Sequence, residues 1–239
     1  CPEARFFGSV RGGEQGVFMA SKLRIHVSPP DMNQPISTPY PVDKASRWNS
    51  QYDNAGLEPL VKVFMTQPAY SRICVHSASD MQNEVGGFLV GEWCVNAKQG
   101  EQFIVVEQAL PARHTKQGSI YLTFTQKSVV DIHDQIDTHH KGKKIVGWYH
   151  THPRMGIFLS HYDTWLHNNF FSEPWQVALV VEPHTSLGGF FVRQRAGILD
   201  PSRYFGFYEM DGSFGRSMVS WKNLVQTEER QKEGDASHE

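Results

Sequence analysis

A predicted β-strand that ends in two histidines constrains this chain more than any other segment does. Residues 144–149 are apolar and aromatic, as in a buried strand, and His150-Thr151-His152-Pro153 follows directly. Because side chains two residues apart on an extended backbone point to the same side, His150 and His152 can face one ion while Thr151 points away. Proline cannot donate a hydrogen bond to a sheet, so Pro153 helps to end the strand.

A serine and an aspartate stand at the start of the next predicted element. Ser160 opens a helical stretch that runs to residue 171, and serine is a favoured N-cap. Asp163 follows three residues later on the same helix face, so both side chains can point toward the histidines. Two imidazoles and one carboxylate are three protein ligands, as in a catalytic zinc site that keeps a fourth position for water. The segment therefore predicts a metal-dependent hydrolase.

Such a hydrolase also needs a group that takes a proton from water and passes it to the leaving amine. Glu84 is the best candidate, since it precedes a strand-like apolar run in which Gly86 and Gly87 permit a tight turn or a close backbone approach. Local sequence patterns alone do not connect Glu84 with histidines so much later in the chain, and taken alone it would be a solvated acid.

Three segments together resemble the JAMM/MPN+ (Mov34/JAB) zinc metalloprotease family. They are Glu84-Val85-Gly86-Gly87-Phe88-Leu89-Val90-Gly91, Val146-Gly147-Trp148-Tyr149-His150-Thr151-His152-Pro153 and Leu159-Ser160-x-x-Asp163. The family includes deubiquitinases of the proteasome lid, the deneddylase of the signalosome, and bacterial and archaeal relatives. The resemblance covers residues 61–195. One interpretation is that the chain is a bacterial member of the family. It implies an α/β fold with a mixed central β-sheet flanked by helices, a cytidine-deaminase-like architecture, which the mixed order of predicted strands and helices also favours.

The same resemblance implies a role for each motif residue. His150, His152 and Asp163 would bind one catalytic zinc ion, with water as the fourth ligand. Glu84 would be the general base and acid, and Ser160 would donate a hydrogen bond to the oxyanion. The implied activity is cleavage of isopeptide or peptide bonds after the C-terminal Gly-Gly of ubiquitin or a ubiquitin-like protein, alone or with a partner from a conjugation pathway or a complex.

The resemblance also implies two insertions that grip the modifier. The first would fall around residues 96–116 and extend toward Ser119, and the second, which is short, around residues 182–189. No histidine and cysteine cluster lies near the second, so we expect no second zinc ion and no strict selectivity for one ubiquitin linkage.

Plainer interpretations exist for several of these residues. A His-x-His at a strand end is often only polar surface, Ser160 can be only an N-cap, and His167 can be a packed helix residue rather than a group that orients a ligand. Val10-Arg11-Gly12-Gly13 resembles the tail of a ubiquitin-like modifier, although a flexible glycine-containing segment is the simpler interpretation. Two other functions stay open: a hydrolase of small adducts on a sulfur-carrier protein, and a non-catalytic scaffold module.

Composition and charge limit the possible functions and cellular settings of the protein. The chain has 239 residues and a formal net charge of -2, which gives no general attraction to nucleic acid or anionic lipid. No apolar run is long enough to cross a membrane and no secretory signal is evident. Three cysteines, an odd number, argue against a disulfide framework and favour a reducing, cytoplasmic setting, with Cys74 and Cys94 as buried thiols.

The pattern along the chain predicts three regions. Residues 1–58 form a polar, proline-rich N-terminal arm, residues 59–227 the metalloprotease domain, and residues 228–239 a charged, flexible tail. Helices are predicted at 68–79, 125–140 and 160–171. Strands are predicted at 22–27, 61–65, 87–93, 102–110, 120–124, 144–149, 176–182, 190–194 and 204–210.

Overall fold

The structure of the protein is a computed structural model that describes residues 34–53, 55–56, 58–113, 115–118, 121–210 and 216–227. The residues from Pro35 onward belong to one compact unit. The predicted strand at 22–27, the segment Val10–Gly13 and the predicted tail lie outside the described residues.

Twelve strands and three α-helices make up the described part of the chain. The strands are β1 (Ile36–Ser37), β2 (Ala45–Asn49), β3 (Val61–Thr66), β4 (Gly86–Val95), β5 (Gln102–Pro111), β6 (Thr115–Gly118), β7 (Tyr121–Phe124), β8 (Lys144–Thr151), β9 (Val177–Glu182), β10 (Leu187–Phe191), β11 (Phe207–Met210) and β12 (Val225–Thr227). The helices are α1 (Gln67–Ser77), α2 (Gln126–His139) and α3 (His161–Phe170). Among the described residues, no helix is both long and apolar enough to traverse a lipid bilayer.

One mixed sheet holds ten of the strands. Nine follow the order β10-β9-β8-β4-β5-β3-β11-β2-β12, and β1 pairs in parallel with the far end of β4. The central strand β8 runs antiparallel to β4 and parallel to β9. The predicted α/β class with a mixed central sheet is therefore confirmed.

Both faces of the central strands are covered, which explains their near-continuous apolar sequence. Every residue of β9 is buried, and so are the last six residues of β8. Trp148 and Tyr149 are adjacent in β8, so they point to opposite faces of the sheet, and both are fully buried. Each such side chain contributes about 2–3 kcal/mol through removal of apolar surface from water. The end of β8 is thereby held firmly in place.

The sequence patterns missed some strands and misplaced others. β1, β2, β6 and β12 were not predicted, because they are short or lack alternating apolar residues. Part of the proposed N-terminal arm thus pairs with the sheet, through β2 with β11 and β12. β10 lies at Leu187–Phe191, three residues before its predicted start at 190.

The expectation of a first insertion at 96–116 is wrong for most of that range. β5 fills residues 102–111 and pairs with both β3 and β4 in the interior of the sheet. Among the described residues, the β6–β7 hairpin that follows is separate from the main sheet. The second expected insertion is indeed short, because four residues join Glu182 to its pairing partner Leu187.

Close backbone approaches explain two glycines of β4. A Cβ atom on Gly87 would lie 2.3 Å from the carbonyl oxygen of Leu110, and one on Gly91 would lie 1.8 Å from that of Val105. The β4–β5 pairing shifts register between Val90 and Gly91. Any larger residue would therefore push the two strands apart at this bulge.

We expect Gly91→Ala to lower the free energy of unfolding by about 3 kcal/mol or more, at or above the upper end of the usual cost of overpacking. Gly100→Ala is the control, because Gly100 has a positive φ of 69° but open space around it. This control should lower the free energy of unfolding by only about 1–2 kcal/mol, the cost of a left-handed backbone conformation for a residue with a Cβ atom. Urea unfolding of both variants measures the difference, and equal losses would contradict the steric explanation.

Candidate metal centre

Two histidine rings meet at the buried end of β8. His150 pairs with Gly86 of β4 on one side and with Val180 of β9 on the other. The His152 N–H donates to the Val181 carbonyl at 2.8 Å, which holds the chain just beyond the strand. The Nε2 atoms of His150 and His152 are 2.9 Å apart, and both side chains are almost completely buried. The two rings therefore converge on one point, as the His-x-His spacing predicts.

A capping box aims the carboxylate of Asp163 at the same point. The Ser160 N–H donates to Asp163 Oδ2 at 2.7 Å, and the Asp163 N–H donates to Ser160 Oγ at 3.1 Å. These reciprocal bonds start α3 and fix the side chain of Asp163 at its first turn. The Leu159 N–H, which donates to the Pro201 carbonyl at 2.8 Å, anchors the loop before the helix.

The three side chains fit a tetrahedral metal ion. Asp163 Oδ1 lies 3.5 Å from His150 Nε2, and Asp163 Oδ2 lies 3.6 Å from His152 Nε2. Zinc–ligand bonds of about 2.0–2.2 Å in tetrahedral geometry place ligand atoms roughly 3.3–3.6 Å apart. The donor set of two nitrogens and one carboxylate is one that zinc prefers. His150, His152 and Asp163 could therefore hold a metal ion.

The electrostatics of the cluster favour the protonation states that metal binding needs. Burial acts to raise the pKa of Asp163, but His150, His152 and a hydrogen bond from the Ser160 side chain together hold it well below its usual range. Burial lowers the pKa of His152, although Asp163 acts to raise it. A deprotonated carboxylate and a neutral imidazole are the forms that bind metal.

Aromatic packing, rather than further hydrogen bonds, holds the histidine rings. His150 stacks on Trp148 with ring centroids 4.6 Å apart, and His152 lies 4.7 Å from the ring of Phe158. The Nδ1 atoms of both histidines lack a hydrogen-bond partner among the described residues. His167 accepts a hydrogen bond from Trp148 Nε1 at 3.1 Å, so it contacts the ring that supports His150. It is a packed helix residue, the plainer of the two interpretations.

Glu84 is brought to the cluster by the pairing of β4 with β8. Its side chain is 2% exposed, and Oε1 lies 4.0 Å from His152 Nε2. Burial, reinforced by the charge of Asp163 and opposed by His152, raises the pKa of Glu84 to about 7. Oε2 has no hydrogen-bond partner among the described residues. A buried carboxylate with a raised pKa thus lies beside the three possible ligands.

The structure brings Glu84, His150, His152, Ser160 and Asp163 together at one site. Sequence patterns missed Phe158, which borders His152 and is 37% exposed. An isolated aromatic residue in a loop carries no periodic signal that could have marked it.

Residues 59–173 match the family described as JAB1/Mov34/MPN/PAD-1 ubiquitin protease. This match supports a JAB/MPN-like domain over residues 59–173, just under half of the chain. COP9 signalosome complex subunit 5 of Caenorhabditis elegans is 33% identical over 123 residues, which cover 48% of this chain and 30% of that protein. The subunit 5 of Kluyveromyces lactis is 32% identical over 132 residues, covering 54% of this chain and 33% of that protein.

Two further similarities are more limited. The NAD(+) hydrolase TcpA of Theionarchaea archaeon is 34% identical over 76 residues, covering 31% of this chain and 22% of that protein. The solution structure of protein DSY2949 from Desulfitobacterium hafniense gives a TM-score of 0.43 at 19% identity, covering 59% of this chain and 91% of that chain. That score is too low to support a conclusion. The chain spans at most about a third of the length of the curated relatives named here.

We expect the JAB/MPN domain to bind about one zinc ion per chain, and Asp163→Asn or His150→Ala to abolish that binding, since either removes one of three protein ligands. Glu84→Gln should retain the metal. Elemental analysis and the zinc-dependent rise in Tm measure the effect. His139→Ala, at an exposed histidine near the end of α2, is the control. A full equivalent of zinc in Asp163→Asn would remove Asp163 from the ligand set.

The raised pKa of Glu84 predicts a pH-dependent stability of the metal-free protein. The folded-state pKa of about 7 lies above the ordinary value of 4.5, so the contribution of Glu84 is fully present below pH 4.5 and is lost as pH rises through 7. Glu84→Gln cannot ionise and avoids that loss. From pH 5 to pH 8, the free energy of unfolding of Glu84→Gln minus that of the unsubstituted protein should increase by about 2 kcal/mol.

Denaturant unfolding with chelator at both pH values checks this expectation. Asp134→Asn, on the exposed face of α2, should show no comparable growth. A stability difference for Glu84→Gln that stays constant from pH 5 to pH 8 would mean that the fold does not disfavour the charged carboxylate.

Proposed function

We propose that this chain is a zinc metalloprotease of the deubiquitinase-like, JAMM type. Its reaction would be isopeptide or peptide cleavage after the C-terminal Gly-Gly of ubiquitin or a ubiquitin-like modifier, which releases the modifier from conjugates or precursors. The observation that carries the proposal is the buried convergence of His150, His152 and Asp163 beside Glu84, whose Oε2 has no hydrogen-bond partner among the described residues. The family match, described as a ubiquitin protease family, supports the substrate class.

In this proposal Glu84 moves the proton. A bound zinc ion would supply a Lewis acid that polarises a carbonyl oxygen and acidifies water. Glu84 Oε2 would take a proton from the attacking water and deliver it to the leaving amine. A pKa of about 7, as in the metal-free protein, would suit both steps, because a group that accepts and then releases a proton works best near the ambient pH.

Ser160 would stabilise the oxyanion of the tetrahedral intermediate. Its Oγ accepts a hydrogen bond from the Asp163 N–H, and its hydroxyl hydrogen would turn from the Asp163 carboxylate to donate to a substrate oxygen. Ser160 would thus be both the N-cap of α3 and a catalytic donor. Replacing it would affect stability as well as turnover.

Exposed aromatic side chains favour a folded protein substrate over a small adduct. Trp165 and Phe170 on α3 are 52% and 64% exposed, and their rings contact each other with centroids 5.8 Å apart. Exposed aromatic clusters of this kind mark protein-binding surfaces. The complete set of site residues disfavours a purely structural scaffold role. The free thiols Cys74 and Cys94 fit the reducing, cytoplasmic setting that we propose.

The test is cleavage of modifier fusions that end in Gly-Gly, by the zinc-loaded protein and by Glu84→Gln. We expect chelator-sensitive cleavage directly after Gly-Gly, and a rate lower by about 10²–10⁴ in Glu84→Gln, since proton transfer contributes about that much. Ser160→Ala should lose about 10²–10³. Parallel zinc analysis separates lost chemistry from lost metal.

A short Gly-Gly peptide serves as the comparison substrate. A folded fusion cleaved with a lower KM than the peptide supports recognition of a folded modifier. One zinc ion per chain with cleavage only of small adducts would instead support the small-adduct hydrolase, and full activity of Glu84→Gln would overturn the assignment of the base.

A further inference from the structure

One threonine holds the backbone directly after Glu84. Thr151 lies between the two histidines and is completely buried. Its N–H donates to the Val85 carbonyl at 2.8 Å, and its Oγ accepts from the Val85 N–H at 2.9 Å. Both polar backbone groups of Val85 are thus satisfied by a single residue of the segment that carries His150 and His152.

A histidine holds the same loop on the other side of Glu84. His184 Nε2 donates to the Met81 carbonyl at 2.8 Å. The backbone of His184 is fixed in turn, because its N–H donates to Glu182 Oε1 at 2.9 Å. Glu182 is a buried carboxylate that also accepts from the Arg154 N–H at 3.0 Å, two residues after His152.

The carboxylate of Glu84 has no comparable support of its own. Oε2 lacks a partner among the described residues, and Oε1 approaches His152 only to 4.0 Å. The direction of the side chain is therefore set by its backbone, which Met81 and Val85 bracket. Asp80 shapes the intervening turn, because its Oδ1 accepts from the N–H groups of Gln82 and Asn83, both at 2.9 Å.

We infer that Thr151 and His184 are positioning residues that act through Glu84. Thr151 fixes the backbone at Val85 and His184 fixes it at Met81, so together they hold the proton-transferring carboxylate against the metal centre. This inference rests on the proposed function for its kinetic consequence, but the restraint on the loop is a property of the metal-free protein. Both residues act without touching the substrate.

Substitutions at Thr151 give the sharpest test. Thr151→Val keeps the shape and the N–H but removes the Oγ acceptor, whereas Thr151→Ser keeps the acceptor. In the metal-free protein, hydrogen exchange of the Val85 amide should become roughly tenfold faster in Thr151→Val and stay within about twofold of the unsubstituted rate in Thr151→Ser. Thr66→Val, which removes the hydroxyl that caps α1, is the matched control and should leave the Val85 amide unchanged.

Substitutions at His184 test the second contact. His184→Ala should speed amide exchange across residues 80–84, and His184→Gln, which keeps an N–H donor of similar reach, should restore much of the protection. His133→Ala, at an exposed histidine of α2, is the control.

The kinetic arm uses a Gly-Gly fusion and zinc-loaded protein. Thr151→Val should lower kcat by about 10- to 100-fold, in line with the cost of misplacing a reacting group by about 1 Å, with KM and zinc content unchanged and kcat restored in Thr151→Ser. A loss of zinc together with kcat would show that Thr151 acts on the ligands instead and would overturn the inference.

The two arms separate failure of the inference from failure of the proposed function. Unchanged amide exchange in Thr151→Val would overturn the inference whatever the activity. If the unsubstituted protein cleaves no fusion, the proposed function fails, and faster exchange in Thr151→Val would still establish the hold on the loop.

Discussion

The pairing of β8 with β4 on one side and β9 on the other is the constraint on which the site depends. It sets His150 beside Gly86 and Val180, so that the end of a buried strand points two imidazoles at one place. It also brings Glu84, just before β4, to the same place from a distant part of the sequence. Because both faces of the strand are covered, a slip in register would move Trp148 and Tyr149 out of the packing that now surrounds them.

Helix α3 completes the site because its two ends are fixed by different interactions. At its start, the reciprocal bonds of Ser160 and Asp163 cap the helix and orient the carboxylate of Asp163 toward the histidines. At its end, the guanidinium of Arg193 donates to the carbonyls of Phe171 and Glu173, both at 3.1 Å. A buried cation there complements the negative end of the helix dipole. The carboxylate that faces the histidines is thus held by the whole helix as well as by its first turn.

The sequence predicted the parts of the site that depend on local periodicity. The spacing of His150 and His152 follows from strand geometry, and that of Ser160 and Asp163 from the helix cap, so both pairs could be placed without a structure. The approach of Glu84 could not, because it follows from strand pairing across the sheet and entered only through the family resemblance. Short strands such as β2 could not be predicted for a similar reason, since pairing with their partners, and not their own sequence, keeps them extended.

Three of the six buried side-chain polar atoms that lack a hydrogen-bond partner among the described residues lie in the candidate site. Glu84 Oε2 and the Nδ1 atoms of His150 and His152 are all buried without a partner among the described residues. Most buried polar groups in native proteins are hydrogen-bonded, and each exception costs about 1–3 kcal/mol. Three exceptions within one cluster would be eliminated readily by substitution if stability alone mattered. By contrast, the buried carboxylate of Glu182, outside the cluster, accepts hydrogen bonds from Arg154, His184 and Thr185. The fold satisfies both oxygens of Glu182 but leaves Glu84 Oε2 without a hydrogen-bond partner among the described residues, which is the distinction expected if Glu84 transfers protons, as the proposed function requires.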